Sequence, residues 1–149
     1  MGTLIKKFCS FKEQIDFNFL SNLLDRNNFQ SHLSSNYLNY FILESVFKIE
    51  TIEKDLYFKN IFDLLNDTYN KDNKKSDLYI FFSLVSGNKS IAHKDEYDVY
   101  ILGLYGKTVY KVEEEYFTLE EGDLLMVPKN SLHRAIGLTP RICLSYAIY

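Results

Sequence analysis

The pattern of apolar and polar positions changes at a polar segment that covers residues 70–76. Before this segment, the apolar residues between 55 and 70 recur at roughly helical spacing, which predicts a helix there. Residues 11–27 predict a second helix, whereas residues 38–52 fit a helix or a strand and the periodicity does not decide. We therefore expect residues 1–76 to form a mixed region of helix and strand.

After residue 76 the chain consists of short apolar or alternating runs that are separated by turn residues. The continuous apolar run at 78–85 is short enough for a buried strand, and residues 108–112 alternate with a period of two. Further strands are predicted at 99–104, 116–119, 124–127, 131–136 and 142–148. Closely spaced strands favour an all-β barrel or sandwich over residues 77–149, with the N-terminal helices packed outside it.

Composition agrees with a single β-rich domain of 149 residues. The chain has 12 Tyr and 12 Phe, and aromatic side chains favour strands. A net charge of −3 argues against a nucleic-acid partner, and no apolar run has the length of a membrane span. Neither Cys9 nor Cys143 has metal-motif spacing, and nothing demands a disulfide, so we expect a reducing, cytoplasmic location.

The candidate chemistry lies in His93 and Asp95, which are followed 38 residues later by His133. On a strand, alternate side chains point to the same face, so His93 and Asp95 can reach one ion, and His133 can join them from a neighbouring strand. Two His and one carboxylate form the ligand set that holds one face of Fe(II), although the same ligands also suit Mn, Co and Zn. The alternative is that these are ordinary surface residues of a β-rich chain.

The residues around these histidines resemble the two motifs of the cupin superfamily. In the first motif, Gly87, His93 and Gly106 stand at the expected places, while Asp95 replaces the second His and the motif's Glu is absent. A His-x-Asp pair without this Glu is similar to the Jumonji-C-type branch of the superfamily. This branch contains 2-oxoglutarate-dependent oxygenases.

The second cupin motif is matched completely by Gly122, Pro128 and His133. Within the Jumonji-C-type branch, the run from His93 to Tyr100 resembles the His-x-Asp-x-x-Asp-Val-Phe motif of the ribosomal oxygenases. The resemblance covers about residues 78–148 and does not extend into residues 1–70. It implies a cupin-type double-stranded β-helix, which is a jelly roll of two packed antiparallel sheets.

The function that the resemblance implies is Fe(II)- and 2-oxoglutarate-dependent hydroxylation of a small-molecule, peptide or protein substrate. His93, Asp95 and His133 would hold the iron and 2-oxoglutarate would be the co-substrate, yielding succinate and CO2. Ribosomal oxygenases are longer and carry further regions, so their substrate does not transfer to this chain. Cupins often dimerise through sheet contacts, and the resemblance leaves a homodimer open.

The position that carries the basic co-substrate anchor in the ribosomal oxygenases is Thr108 in this chain. Lys107 lies one residue early, and a shift of one residue turns a strand side chain to the opposite face. Lys107 would therefore need a bulge to serve as the anchor. Arg141 is the second candidate, because some relatives place a carboxylate-binding Arg on the last strand. Alternation points Thr108 and Tyr110 inward, where their hydroxyls could join Ser145 in the site.

Three further residues bear on the site. Tyr97 shares the metal-facing side with Asp95 and is a candidate to line the substrate pocket, whereas Asp98 faces the other way, which favours a structural hydrogen bond. His32 lies in a polar stretch typical of an exposed loop.

Two other functions stay open at the level of sequence. One is a metal cupin that works without 2-oxoglutarate, as a dioxygenase, isomerase or epimerase, and Thr108 favours it. The other is a cupin that binds a ligand without catalysis, which the intact ligand triad disfavours.

Overall fold

A computed structural model describes residues 1–27, 46–50, 52–87 and 89–149. Within these residues the chain forms nine strands and two α-helices. The elements are β1 (Thr3–Ile5), α1 (Phe17–Asn27), β2 (Phe47–Ile49), a 3-10 turn (Ile52–Lys54), α2 (Leu56–Tyr69), β3 (Ser76–Ser83), β4 (Asp98–Tyr105), β5 (Thr108–Val112), β6 (Glu115–Leu119), β7 (Leu124–Val127), β8 (His133–Gly137) and β9 (Arg141–Ile148).

The strands form two antiparallel sheets. The larger sheet has the order β1-β7-β4-β9-β3-β2, and the smaller sheet has the order β6-β5-β8. Consecutive strands such as β4 and β5 lie in different sheets, and β9 returns to pair with both β3 and β4. This connectivity is that of the double-stranded β-helix, and the expected fold class is confirmed.

The two faces of the larger sheet carry two separate cores. Along β4, Val99 and Ile101 face the smaller sheet, whereas Tyr100 and Leu102 face the helices. Every residue from Val99 to Leu104 is buried because both faces are covered, which explains the continuous apolar run in the sequence. The cavity described below opens between the two sheets.

Helices α1 and α2 pack on the outer face of the larger sheet through Leu20, Leu23, Phe58 and Leu65. Helix α2 begins after Asp55, whose carboxylate accepts a hydrogen bond from the Tyr57 amide at 2.9 Å. Such an N-cap satisfies an amide that has no partner within the helix. The expectation of helices packed outside the sheets is confirmed for these two.

The edge strand β1 is fixed to the larger sheet by the buried carboxylate of Asp123. Asp123 accepts hydrogen bonds from the Lys6 ammonium at 2.6 Å, the Lys7 amide at 3.1 Å and the Glu120 amide at 3.0 Å. These bonds tie the chain after β1 to the turn between β6 and β7. At this turn Gly122 has φ +80°, and an added Cβ would lie 2.5 Å from the Cys9 carbonyl oxygen, so only glycine fits.

Most predicted elements are confirmed, with changes at their ends. The helix expected over 11–27 begins at Phe17, and the strand expected over 78–85 ends at Ser83. The strand expected over 131–136 begins at His133, and strand β1 had no sequence signal. Of the undecided run 38–52, residues 47–49 form β2, whereas its larger part lies outside the described residues.

Candidate metal centre

His93 and His133 face each other across two antiparallel segments. The His93 amide donates to the His133 carbonyl at 3.0 Å, and the His133 amide donates to the His93 carbonyl at 2.9 Å. Directly opposed residues of an antiparallel pair place their side chains on the same face. The two imidazole rings accordingly lie with their centroids 4.4 Å apart.

The segment that carries His93 and Asp95 is not a regular strand, and that part of the sequence expectation is wrong. His93 forms an isolated bridge with His133, and regular pairing resumes only at β4. Ser90 holds the segment beside β8, because its amide donates to the Ala135 carbonyl and its hydroxyl accepts from the Ala135 amide. Two turn residues, Glu96 and Tyr97, then lead into β4.

Both imidazoles are oriented by backbone carbonyls two residues earlier in the chain. Nδ1 of His93 lies 2.9 Å from the Ile91 carbonyl oxygen, and Nδ1 of His133 lies 3.0 Å from the Ser131 carbonyl oxygen. A carbonyl can only accept, so each Nδ1 carries a proton, and in a neutral imidazole of this tautomer Nε2 has the free lone pair that a metal ligand needs. Metal-binding histidines are fixed in this way by an outer hydrogen bond.

The carboxylate of Asp95 completes a convergent set of three ligand atoms. Its Oδ2 lies 3.9 Å from Nε2 of His93 and 3.5 Å from Nε2 of His133. All three ligand atoms lie within 4.8 Å of one another. His133 is buried, while the side chain of His93 is 51% exposed, so the set lies between the protein interior and solvent.

The triad lies in the wall of a cavity of about 290 Å³ between the two sheets. Its walls are mostly apolar and aromatic. They include Tyr79, Phe81, Val99, Ile101, Ala135 and Ala147. A cavity with apolar walls and a few convergent polar groups is the usual form of a small-molecule site.

Arg141 lines the same cavity from the start of β9, and its side chain is buried. Its Nη1 lies 3.4 Å from the Thr108 hydroxyl, whereas its Nε is buried without a hydrogen-bond partner. Among the described residues, no carboxylate forms an ion pair with Arg141. A buried guanidinium without an anionic partner is costly, and an anionic ligand would offset that cost.

Tyr110 lies beside Arg141 and stays a neutral phenol. Burial and the neighbouring Cys143 raise the pKa of Tyr110, and the contact with Arg141 opposes this rise only in part. Thr108 is also buried, so both hydroxyls point inward as the alternation of β5 predicts. Ser145 lines the same cavity from β9.

Lys107 does not reach the cavity. Its ammonium pairs with Glu120 at 2.8 Å on the outside of the molecule, and this hydrogen bond raises the pKa of Lys107. β5 pairs in regular register from Thr108 to Val112, and Lys107, which lies just before it, points outward to Glu120. Arg141, and not Lys107, therefore lines the cavity that contains the triad.

The structure also shows where Tyr97 and Asp98 lie relative to the cavity. Tyr97 lines the cavity together with Asp95. Asp98 faces away from it, and its Oδ1 accepts a hydrogen bond from the Lys129 amide at 2.9 Å. His32 lies outside the described residues.

Sequence reasoning missed Gly137 and Lys48. A Cβ at Gly137 would lie 3.2 Å from Nε of Arg141, so this glycine leaves room for the guanidinium. Lys48 lines the cavity from the edge strand β2, with its ammonium 4.0 Å from the centroid of the Tyr79 ring. Neither residue belongs to a motif, and only tertiary placement reveals them.

Comparison with solved structures bears on the fold. The ribosomal oxygenase YcfD from Escherichia coli, in complex with cobalt and 2-oxoglutarate, superposes with a TM-score of 0.74 at 19% identity. The match covers 100% of this chain and 48% of YcfD, so the chain spans about half the length of that protein. YcfD in complex with succinic acid gives a TM-score of 0.72 at 20% identity, covering 99% of this chain and 48% of that chain.

A shorter structure matches less well. The SPY1581 protein of unknown function from Streptococcus pyogenes superposes with a TM-score of 0.53 at 11% identity, covering 82% of this chain and 91% of that chain. No family model and no curated protein matches the sequence. No helix in the described ranges is long and apolar enough to cross a membrane. The superposition on YcfD thus shows that the chain has the same double-stranded β-helix fold.

Proposed function

We propose that this protein is a non-haem Fe(II)- and 2-oxoglutarate-dependent oxygenase that hydroxylates a small-molecule, peptide or protein substrate. The observation that carries the proposal is one cavity that is lined both by the His93, Asp95 and His133 triad and by the buried guanidinium of Arg141, which forms no ion pair with a carboxylate of the described residues. Metal ligands and a fixed cation in one cavity suit a co-substrate that is both a chelator and a carboxylate. The similarity of fold to YcfD, which was solved with cobalt and 2-oxoglutarate, supports this choice.

The donor set fits a divalent metal ion. Two neutral imidazoles and one carboxylate are the ligands of the facial site that binds non-haem iron. The outer carbonyls hold both Nε2 atoms toward Asp95, which is the ring orientation that a shared metal ion requires. Bound Fe(II) would supply dioxygen activation, with 2-oxoglutarate decarboxylated to succinate and CO2.

The residues of the chain bind and orient the co-substrate. Arg141 would grip the carboxylate distant from the metal through charge-assisted hydrogen bonds. Tyr110 would donate a hydrogen bond to the same carboxylate, since its raised pKa keeps the phenol protonated. Thr108, which accepts from Arg141, holds the guanidinium toward this end of the cavity.

The spacing of these residues along the sheet suits a five-carbon dicarboxylate. His133 pairs with Val112, and Arg141 contacts Thr108, which lies four residues away on β5. Four strand residues span about 13 Å between backbones, and the side chains of His133 and Arg141 both line the cavity and shorten this distance. The apolar walls lower the effective dielectric constant of that space, which strengthens the contact of a carboxylate with Arg141.

The remaining wall belongs to the substrate. Tyr97 and Tyr79 line the cavity beside the triad, and Tyr97 directly follows the segment of Asp95. Burial raises the pKa of Tyr97, so it stays a neutral hydrogen-bond donor at neutral pH. We propose that Tyr97 contacts the substrate group that is hydroxylated.

The test is co-substrate binding to cobalt-loaded protein, measured by calorimetry for wild type, Arg141→Ala and Lys107→Ala. A hydrogen bond between charged groups contributes about 1.5–3 kcal/mol of binding free energy. We therefore expect Arg141→Ala to weaken 2-oxoglutarate binding about 10- to 100-fold. Lys107→Ala is the matched control, because it removes one neighbouring cation that lies outside the cavity. Equal effects of the two substitutions would refute Arg141 as the anchor.

One observation favours a second candidate, a metal cupin that works without 2-oxoglutarate. Thr108 stands where a basic anchor is expected from the resemblance, and this buried hydroxyl cannot supply the positive charge of such an anchor. In that case the cobalt-loaded protein would bind no 2-oxoglutarate, and Arg141 would hold an anionic substrate directly. The same calorimetric experiment separates the two functions. A ligand-binding cupin without catalysis would keep ligand binding after Asp95→Ala.

A further inference from the structure

The turn before His133 has its backbone amides satisfied in an unusual way. Pro128 has no amide hydrogen, the Lys129 amide donates to the Asp98 carboxylate, and the Leu132 amide donates to the Glu113 carboxylate at 2.7 Å. Asp98 begins β4 and Glu113 lies in the turn after β5, so the two carboxylates come from different sheets. We propose that Asp98 and Glu113 are positioning residues, a carboxylate clamp that holds the turn of residues 128–132 and thereby sets the metal-ligand geometry.

The pairing register shows which backbone hydrogen bond the Asp98 carboxylate replaces. His93 pairs with His133, Val99 pairs with Val127, and both pairs belong to one continuous register. A regular ladder would therefore bring the Lys129 amide to the Tyr97 carbonyl. In the structure the two segments separate between these pairs, and the Asp98 carboxylate takes that amide instead.

A second bond across the same gap links the turn to a metal ligand. The Asn130 amide donates to the Asp95 carbonyl at 2.6 Å, whereas the regular register would use the Ser131 amide. Asn130 adopts φ +61°, a left-handed conformation that Asn tolerates better than most residues. The position of Asp95 therefore depends on the conformation of this turn.

The Glu113 side of the clamp acts on His133. The backbone of Glu113 also bonds to this segment, since its amide donates to the Leu132 carbonyl at 2.7 Å. Between the two clamped amides lies Ser131, whose carbonyl accepts from Nδ1 of His133. Holding the turn at both ends thus fixes the carbonyl that orients the His133 ring.

Carboxylates suit this role because hydrogen bonds from amides to ionised acceptors are stronger than those to neutral carbonyls. They also let the turn depart from ladder geometry while its amides stay satisfied. The clamp rests on the metal site of the proposed function and is independent of 2-oxoglutarate.

The experiment is a titration with Co(II), followed by its d–d absorption, on wild type and on Asp98→Ala, Glu113→Ala and the double variant. Loss of a group that hydrogen-bonds a metal ligand typically weakens metal binding about 10- to 100-fold, and Asp98 and Glu113 act through the turn, so the low end of this range is expected. We expect about 10-fold weaker Co(II) binding in each single variant, a larger loss in the double variant, and a shifted spectrum. Asp98→Asn and Glu113→Gln should restore most of the affinity, because an amide oxygen still accepts the bond.

Two control substitutions each remove a negative charge that lies near a clamp residue, and they leave the hydrogen bonds of the clamp intact. Glu96 is exposed beside Asp95, and Glu114 is exposed next to Glu113, where it pairs only with Lys111 among the described residues. Glu96→Ala and Glu114→Ala should bind Co(II) like wild type. Equal losses in controls and clamp variants would overturn the clamp in favour of simple electrostatics.

Two further outcomes of the Co(II) titration would also overturn the clamp. Clamp variants with wild-type affinity and spectrum would overturn the clamp alone, whereas a wild-type protein that binds no Co(II) would overturn both the clamp and the proposed function. Urea unfolding of each variant establishes that it is folded. If Asp98→Ala does not fold, Glu113→Ala, at an exposed turn residue, carries the same test.

Discussion

At the scale of single residues, the candidate site depends on side chains that the motif specifies and on others that it does not. His93, Asp95 and His133 could be read from their spacing, because each stands at a motif position. The choice between Lys107 and Arg141 could be narrowed by strand alternation, which turns Lys107 outward. The burial of Arg141 could not be predicted, since a charged residue after Pro140 is equally typical of a surface.

Gly137 provides a residue-scale test of how Arg141 is positioned. Its backbone lies so close to Nε and Cδ of Arg141 that a Cβ would approach them to 3.2 and 3.3 Å. Gly137→Val should displace the guanidinium and weaken 2-oxoglutarate binding to cobalt-loaded protein about 10-fold, which corresponds to about 1.4 kcal/mol. Calorimetry measures both this affinity and the affinity for Co(II), which should not change.

The control for this substitution is Leu138→Ala at the next position, where the side chain is 49% exposed. It should leave the affinity for both Co(II) and 2-oxoglutarate unchanged. Full 2-oxoglutarate affinity in Gly137→Val would show that Arg141 does not need this space.

At the scale of elements, strands with alternating or continuous apolar patterns were predictable, and irregular segments were not. The strands over 108–112 and 124–127 have the predicted bounds, because the pattern of apolar residues in the sequence agrees there with the pattern of burial in the structure. The segment that carries His93 and Asp95 departs from a strand because the bond that the Ser90 hydroxyl accepts from the Ala135 amide, and the bond that the Asn130 amide donates to the Asp95 carbonyl, replace a regular ladder. Such side-chain and turn contacts come from residues distant in sequence, so periodicity does not reveal them.

Strand β1 had no sequence signal because only three of its residues pair, and its attachment depends on Asp123. Burial raises the pKa of Asp123, but hydrogen bonds from Lys6, the Lys7 amide and the Glu120 amide together lower it below its usual value. A carboxyl whose folded pKa is lowered stabilises the fold above its unfolded pKa, and this contribution is lost as the pH falls through the folded pKa.

We therefore expect Asp123→Asn to lower the free energy of unfolding by a constant amount between about pH 7 and about pH 5. Below about pH 4 the difference from wild type should shrink, since the wild-type carboxyl becomes protonated as well. Urea unfolding across this pH range measures the effect. Asp63→Asn is the control, because Asp63 forms only an exposed ion pair with Lys59 among the described residues. A pH-independent difference for Asp123→Asn would contradict this account.

At the scale of the whole molecule, the fold could be anticipated because the cupin-like motifs and the strand pattern agree. The two motifs place His93 and His133 on segments that pair with each other, and that pairing joins the smaller sheet to the start of β4. The N-terminal residues were less predictable, since their helices are defined by packing against the outer face of the larger sheet. The shared cavity between the sheets follows from this architecture and not from any local pattern.

The most direct test of the central claim is an anaerobic titration of the metal-free protein with Fe(II) and then with 2-oxoglutarate, observed by visible absorption. Our account predicts a metal-to-ligand charge-transfer band that appears only after both additions. The band should be absent in Asp95→Ala and should need more 2-oxoglutarate in Arg141→Ala. Iron binding without this band would contradict 2-oxoglutarate chelation at the site, and a failure to bind iron would contradict the triad of His93, Asp95 and His133 as a metal centre.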